Sequence, residues 1–199
     1  MTFSTSNFDS VTPLQSGAFF IPAFALIVES SRIGFAWAYL KVEPALLRLL
    51  RRDDPMVLND LGASLAAGAG FALMSAVVTH GRMVGESWRQ EVRYSEHCDQ
   101  MSLSSLAAGQ AALGFPLHLA LSVLAFDGVR RIWGMGSGGA PQGDTFSGWV
   151  RIAGVFTLHL GTSLVSLLNS AGGGACIASL PIQAVVVIGS VCAAAWVVS

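Results

Sequence analysis

The sequence predicts an all-α fold: a polytopic transmembrane helix bundle of five spans. Three observations carry that prediction. Hydrophobic residues make up 53% of the 199 residues and charged residues only 12%, well outside the balance of ordinary soluble domains. Apolar runs of about 20 residues, the length a helix needs to cross the hydrocarbon core, recur along the chain. The charged residues gather mostly in the short stretches between those runs, as membrane loops require. The formal net charge is -1 and the 11 basic residues are spread among the loops, which leaves no basic face for nucleic acid. The partners to expect are the lipid bilayer and other membrane-protein subunits.

Residues 1–16 form a polar tail without Lys or Arg. This tail lacks the basic start of a secretory signal and the Arg-rich pattern of an organellar presequence. Residues 17–199 form a single transmembrane domain, and targeting is expected to reside in its first span, 17–40. That span carries Glu29 and Arg32 near its middle, three residues apart and on one helix face. Each central charge costs about 2.5 to 3.5 kcal/mol on insertion, while each Phe, Ile, Leu or Val returns about 0.3 to 0.6. The span holds ten such residues, so the sum is close to zero. Glu29 and Arg32 must therefore neutralise each other as an intramembrane ion pair or face other helices. A four-span alternative has this segment re-entrant or interfacial. Pro22 predicts a kink near its outer end.

From Lys41 to Asp54 leucines alternate with Arg48, Arg51 and Arg52, the pattern of a stub lying in the interface. Asp54 followed by Pro55 reads as a helix start. The second span, 61–79, is rich in small residues, and the pairs Ser64 with Gly68 and Ala66 with Gly70 allow close helix contact. From His80 to Ser102 the charge spacings, such as Glu86 with Arg89 and Arg89 with Arg93, suit a solvated helix leaving the membrane. Glu96, His97, Cys98 and Asp99 are adjacent and point in different directions on a helix, so they form no acid–base or metal cluster.

The third span, 103–126, contains Gln110, Pro116 and His118. A Gly-rich loop, 127–148, follows and carries Arg130 and Arg131. Its glycine run has neither the preceding strand nor the following helix of a phosphate cradle. The fourth span is 149–168 and the fifth 175–198, separated by a tight turn over 169–174. Trp149 and Trp196 fit interfacial anchors. The loops 41–60 and 127–148 together hold six basic residues against three in 80–102. The positive-inside rule then places the N-terminus outside and the C-terminus inside. On that topology Cys98 and Cys176 share a side and can pair if it is oxidising.

Two histidines stand out. His118 in Phe115-Pro116-Leu117-His118-Leu119 and His159 in Phe156-Thr157-Leu158-His159-Leu160 each lie deep in an apolar run. Counted from the shared loop at 1.5 Å per residue, they sit about 12 and about 15 Å down neighbouring helices. Three readings follow. Each histidine can hold helices in register through a hydrogen bond. The pair can ligate a b-type haem, with Arg130, Arg131 and Arg151 at the propionate end and Gly114, Gly154 and Gly161 giving the macrocycle room. Or they can join Glu29 and Arg32 in a small transporter or proton pathway. In size and span number the chain is similar to the five-span cytochrome b anchors of succinate dehydrogenases and fumarate reductases, a likeness of outline and not of motif. That likeness implies a haem-binding subunit of a respiratory electron-transfer complex. No nucleophile with a base, metal-ligand spacing or nucleotide fingerprint appears. The leading expectation is an accessory or assembly subunit of a larger membrane complex, not an enzyme.

Overall fold

The computed structural model describes residues 13–49, 57–87, 94–95, 98–134, 145–170 and 175–199. Five long helices dominate: α1 Pro13–Leu49, α2 Val57–Ser87, α3 Leu103–Trp133, α4 Thr145–Val165 and α5 Ala175–Val198. Each, α4 together with the first residues of the turn that follows it, supplies a stretch of 22 to 30 residues long and apolar enough to cross a membrane. The five-span form of the fold therefore holds, with α1 as a full-length helix.

Several boundaries differ from expectation. The predicted stub after residue 40 is instead the continuation of α1, which runs through Pro44 to Leu49. Its leucines still meet the surroundings, Leu46 being 45% and Leu49 79% exposed. The start proposed at Asp54 and Pro55 lies outside the described residues. Of the stretch read as a solvated helix leaving the membrane, α2 runs to Ser87 and Tyr94–Ser95 pairs antiparallel with Cys98–Ser102, while Arg89 and Arg93 lie outside the described residues.

At its start α3 is capped by Ser102, whose hydroxyl accepts from Ser105 N at 3.2 Å. It then overruns the predicted end at Phe126 by two turns. Arg131 Nε donates to Asp127 Oδ2 at 2.8 Å across one turn, and the helix ends where Gly134 turns left-handed at φ 58°. The turn after α4 begins as a 3₁₀ segment, Ser166–Ser170.

The third helix is the axis of the bundle. It packs against all four others, and 61% of its spanning stretch is buried against 17 to 28% for the rest. From Leu117 to Phe126 it is apolar on nearly every side, so no face needs water. Leu117, Leu121 and Leu124 pack with Val155 of α4 and Val187 of α5. A second core joins Phe126 and Val129 to Ala36 and Leu40 of α1 and Ile152 of α4.

Glycine sets two close approaches. A Cβ on Gly68 would lie 2.8 Å from Leu119 Cα and 2.9 Å from the His118 carbonyl oxygen, and one on Gly148 would lie 2.9 Å from the Gly128 carbonyl oxygen. Backbone meets backbone at both points. Of the small-residue pairs in α2, Ser64 and Gly68 face α3, whereas Ala66 and Gly70 face outward.

Candidate functional site

The ionisable residues of three helices converge on one point inside this bundle. Glu29 and Arg32 of α1 are each 0% exposed, and His118 of α3 and His159 of α4 are 4% and 5% exposed. The two histidines meet because they lie at matching distances from their shared end. His118 is fifteen residues before Trp133 and His159 fourteen after Thr145, about 22 and 21 Å along antiparallel helices. Their rings touch edge to face, with centroids 5.2 Å apart at 80°.

Arg32 is the hub. Its Nε donates to Glu29 Oε2 at 2.8 Å and its Nη2 to Glu29 Oε1 at 3.2 Å. Nη2 also donates to His118 Nδ1 at 2.7 Å, and Nη1 donates to the His118 carbonyl oxygen at 2.8 Å and to Ser122 Oγ at 2.5 Å. A guanidinium has five N–H donors, and these five contacts account for all of them. Its flat face lies over the Phe71 ring, with Cζ 4.7 Å from the centroid, a cation–π contact from α2. Both Glu29 oxygens accept from Arg32, and Oε1 is also 2.5 Å from His159 Nδ1.

Chemistry then fixes the protons. Arginine only donates, so His118 Nδ1 is the acceptor and its ring hydrogen sits on Nε2. With a guanidinium at its side the Glu29 carboxylate is the acceptor from His159, whose Nδ1 carries hydrogen. The result is a neutral, hydrogen-bonded pair of charges tied to α3 through His118 and Ser122 and to α4 through His159, the only kind of burial that charges tolerate in hydrocarbon.

The structure thus unites residues that the sequence assigned to two places. Glu29 with Arg32 and His118 with His159 form one network. It does not bring in Arg130, Arg131 or Arg151. Those lie at the far end of α3 and α4, twelve residues beyond His118 and eight before His159, about 18 and 12 Å away along the helices. Arg130 pairs with Asp60, and Arg131 and Arg151 both pair with Asp127. These three arginines are engaged by carboxylates of α2 and α3 and are not set out for propionates. The histidines bear on the haem reading as well. Their rings are in contact, with centroids 5.2 Å apart, and leave no slot between them for a macrocycle. The residues present do not fit the group. Among the described residues no cluster of three or more His, Cys, Asp or Glu is arranged to hold a metal ion. The Cys98 and Cys176 side chains lie outside the described residues.

Sequence reasoning missed Ser122 and Phe71. Ser122 is one turn after His118, on the same face, and that spacing was the available signal. Phe71 lies one turn after Gly68, the residue that brings α2 against the His118 backbone. No curated protein and no solved structure matches the chain. A family model does, that of the Aph-1 protein, over residues 2–199. Since the match takes in all five spans and every residue of the buried network, this chain belongs to the Aph-1 family of multi-pass membrane proteins.

Proposed function

We propose that the chain is a scaffold subunit of a larger membrane complex, of the gamma-secretase kind in which Aph-1 proteins serve, and that it acts by packing and not by chemistry. The observation that carries this reading is the closure of the network on itself. All five donors of Arg32 and both oxygens of Glu29 are used within the chain. Nothing charged in that network is held open toward a substrate, and four of its six bonds tie α1 to α3 or α4. A helix bundle fixed in this way offers rigid outer faces. On α2 the outward residues Gly62, Ala66 and Gly70 recur every fourth position, and a Cβ on either glycine would meet nothing within 4 Å. Such spacing admits a second helix backbone from another subunit. We further propose that the N-terminus lies outside and the C-terminus inside, from the charge of the loops.

The test is isolation of the tagged chain from its own membranes in a mild detergent. It should come with other integral membrane proteins, in a particle larger than the chain with its micelle. A stable chain recovered free of partners, folded and soluble, would sink the proposal.

A further inference from the structure

The charges at the end of the bundle where α3 stops and α4 begins are unevenly matched. Arg130 has two carboxylates at hand: Asp60 of α2 is paired with it, and the buried Glu43 of α1 lies close enough to act on its charge. Arg131 and Arg151 have one between them. Arg131 Nε donates to Asp127 Oδ2 at 2.8 Å, and Arg151 brings its Nη1 to the same oxygen. Neither guanidinium meets another carboxylate among the described residues, so two positive charges and one negative leave a surplus of one.

The two arginines meet because α4 crosses α3 at Gly148. A Cβ there would lie 3.1 Å from Arg131 Cβ, and this approach sets Arg151, three residues on, beside the last turns of α3. The surplus charge faces outward. The Arg131 side chain is 36% exposed, and its two Nη groups, which carry four of the five guanidinium donors, have no partner among the described residues. These donors belong to the outside of the bundle, thirteen residues, or about 20 Å, along α3 from His118. Exposed rings flank the pair. Trp133, two residues after Arg131, is 46% exposed, and Trp149, two residues before Arg151, is 55% exposed. Exposed tryptophans at span ends sit at the level of the lipid headgroups, which sets the depth of the arginines between them.

Phosphate is the anion that this arrangement matches. A guanidinium presents a planar fork to two oxygens at once, and a phospholipid carries its phosphate at headgroup depth. The surplus charge favours a headgroup that is itself negative over a zwitterionic one, whose amine offsets the phosphate. We propose that Arg131 and Arg151, with Trp133 and Trp149 beside them, form a site for the phosphate of an anionic phospholipid in the leaflet at this end of the bundle. Asp127 holds the two guanidinium groups together. A lipid site is independent of the scaffold role, since it involves no other subunit.

Native mass spectrometry of the full chain tests it, with the protein released from bilayer discs of phosphatidylcholine and phosphatidylserine in equal amounts. Phosphatidylserine should be retained over phosphatidylcholine by at least about fivefold, the effect of one unmatched basic residue at an anionic surface. Equal retention overturns the proposal. Arg131→Gln with Arg151→Gln takes the local charge from +1 to -1 and should bring the preference below about twofold. Arg48→Gln, which removes an exposed arginine of α1 at the same end, should leave the preference intact. A double variant that keeps the preference overturns the proposal, as does an Arg48→Gln loss as large as the double variant's. Asp127→Asn decides the matter even where the double variant fails to fold. It leaves both guanidinium groups and takes the surplus from +1 to +2, so phosphatidylserine retention should rise at least about twofold. A fall or no change, expected if the three residues only brace α3 against α4, overturns the site. Millimolar inorganic phosphate should leave the retained lipid in place; its displacement would assign the site to a soluble phosphate and overturn the lipid.

Discussion

Replacing Glu29 by Gln keeps the shape of the side chain and removes one charge, so its effect isolates the electrostatics of the network. In the native arrangement Glu29 accepts from Arg32 at 2.8 and 3.2 Å and from His159 at 2.5 Å. The amide nitrogen of Gln accepts none of these, and Arg32, 0% exposed, is left as an unpaired buried cation. Removing one partner of a buried pair costs about 3 to 5 kcal/mol. That is a large part of the roughly 5 to 15 kcal/mol available to a folded domain. The loss falls on α1, of whose spanning stretch only 22% is buried. Apolar contact drives little association between helices already in lipid, so polar bonds weigh more heavily there. Unfolding of the bilayer- or micelle-reconstituted protein in increasing denaturing detergent, followed by circular dichroism, should show the midpoint falling accordingly. The double variant Glu29→Gln with Arg32→Met leaves no charge behind and should be less damaged than the sum of the singles, by about 1 to 3 kcal/mol. A Glu29→Gln protein within about 0.5 kcal/mol of the unaltered one, the usual range of inert surface changes, would refute this reasoning.

Gly68→Ala should destabilise by about 1 to 3 kcal/mol, since its Cβ meets backbone atoms of Leu119 and His118 below 3 Å. Gly70→Ala, with nothing within 4 Å, should stay within about 0.5 kcal/mol, and the same detergent titration compares them. Ser122→Ala removes the acceptor of one Arg32 N–H in a site 0% exposed. It should cost about 1 to 3 kcal/mol, measured in the same way, and a neutral result would mean that the hydroxyl does not hold the guanidinium. For topology, a membrane-impermeant maleimide on intact, reduced cells should modify Cys98 and spare Cys192, which is exposed on α5; labelling of Cys192 with Cys98 protected would invert the proposed orientation.

The spans were legible because a helix in hydrocarbon must be apolar over a fixed length, and composition alone reports that. Their ends were not. The extension of α3 past Phe126 rests on Asp127 pairing with Arg131 and on a left-handed Gly134, and both were obscured by the run of glycines that follows. The level match of His118 and His159 was readable from their offsets along antiparallel helices, and it survived because both helices proved longer at their shared end. What the sequence hid was the rotation of each helix about its axis. Facing each other across a macrocycle and touching edge to face are the same offset with different rotations. Only packing, here the approach of α2 at Gly68 and of α4 at Gly148, decides between them. The pairing of α1 with the histidines was hidden for a related reason. Glu29 and Arg32 lie three residues apart and satisfy each other locally, so nothing in the spacing demands that His159 and His118 complete the set.

Nitrogen-15 magnetic resonance of the histidine rings, on labelled protein in lipid bilayers with assignments from single His→Gln variants, tests the central claim of one closed network most directly. Arg32 as sole donor to His118 and Glu29 as acceptor from His159 predict that His118 is unprotonated at Nδ1 and protonated at Nε2, and that His159 carries its hydrogen on Nδ1. The His118 pattern should change in Arg32→Met and the His159 pattern in Glu29→Gln. A His118 protonated at Nδ1 in the unaltered protein, or ring signals indifferent to both substitutions, would contradict it.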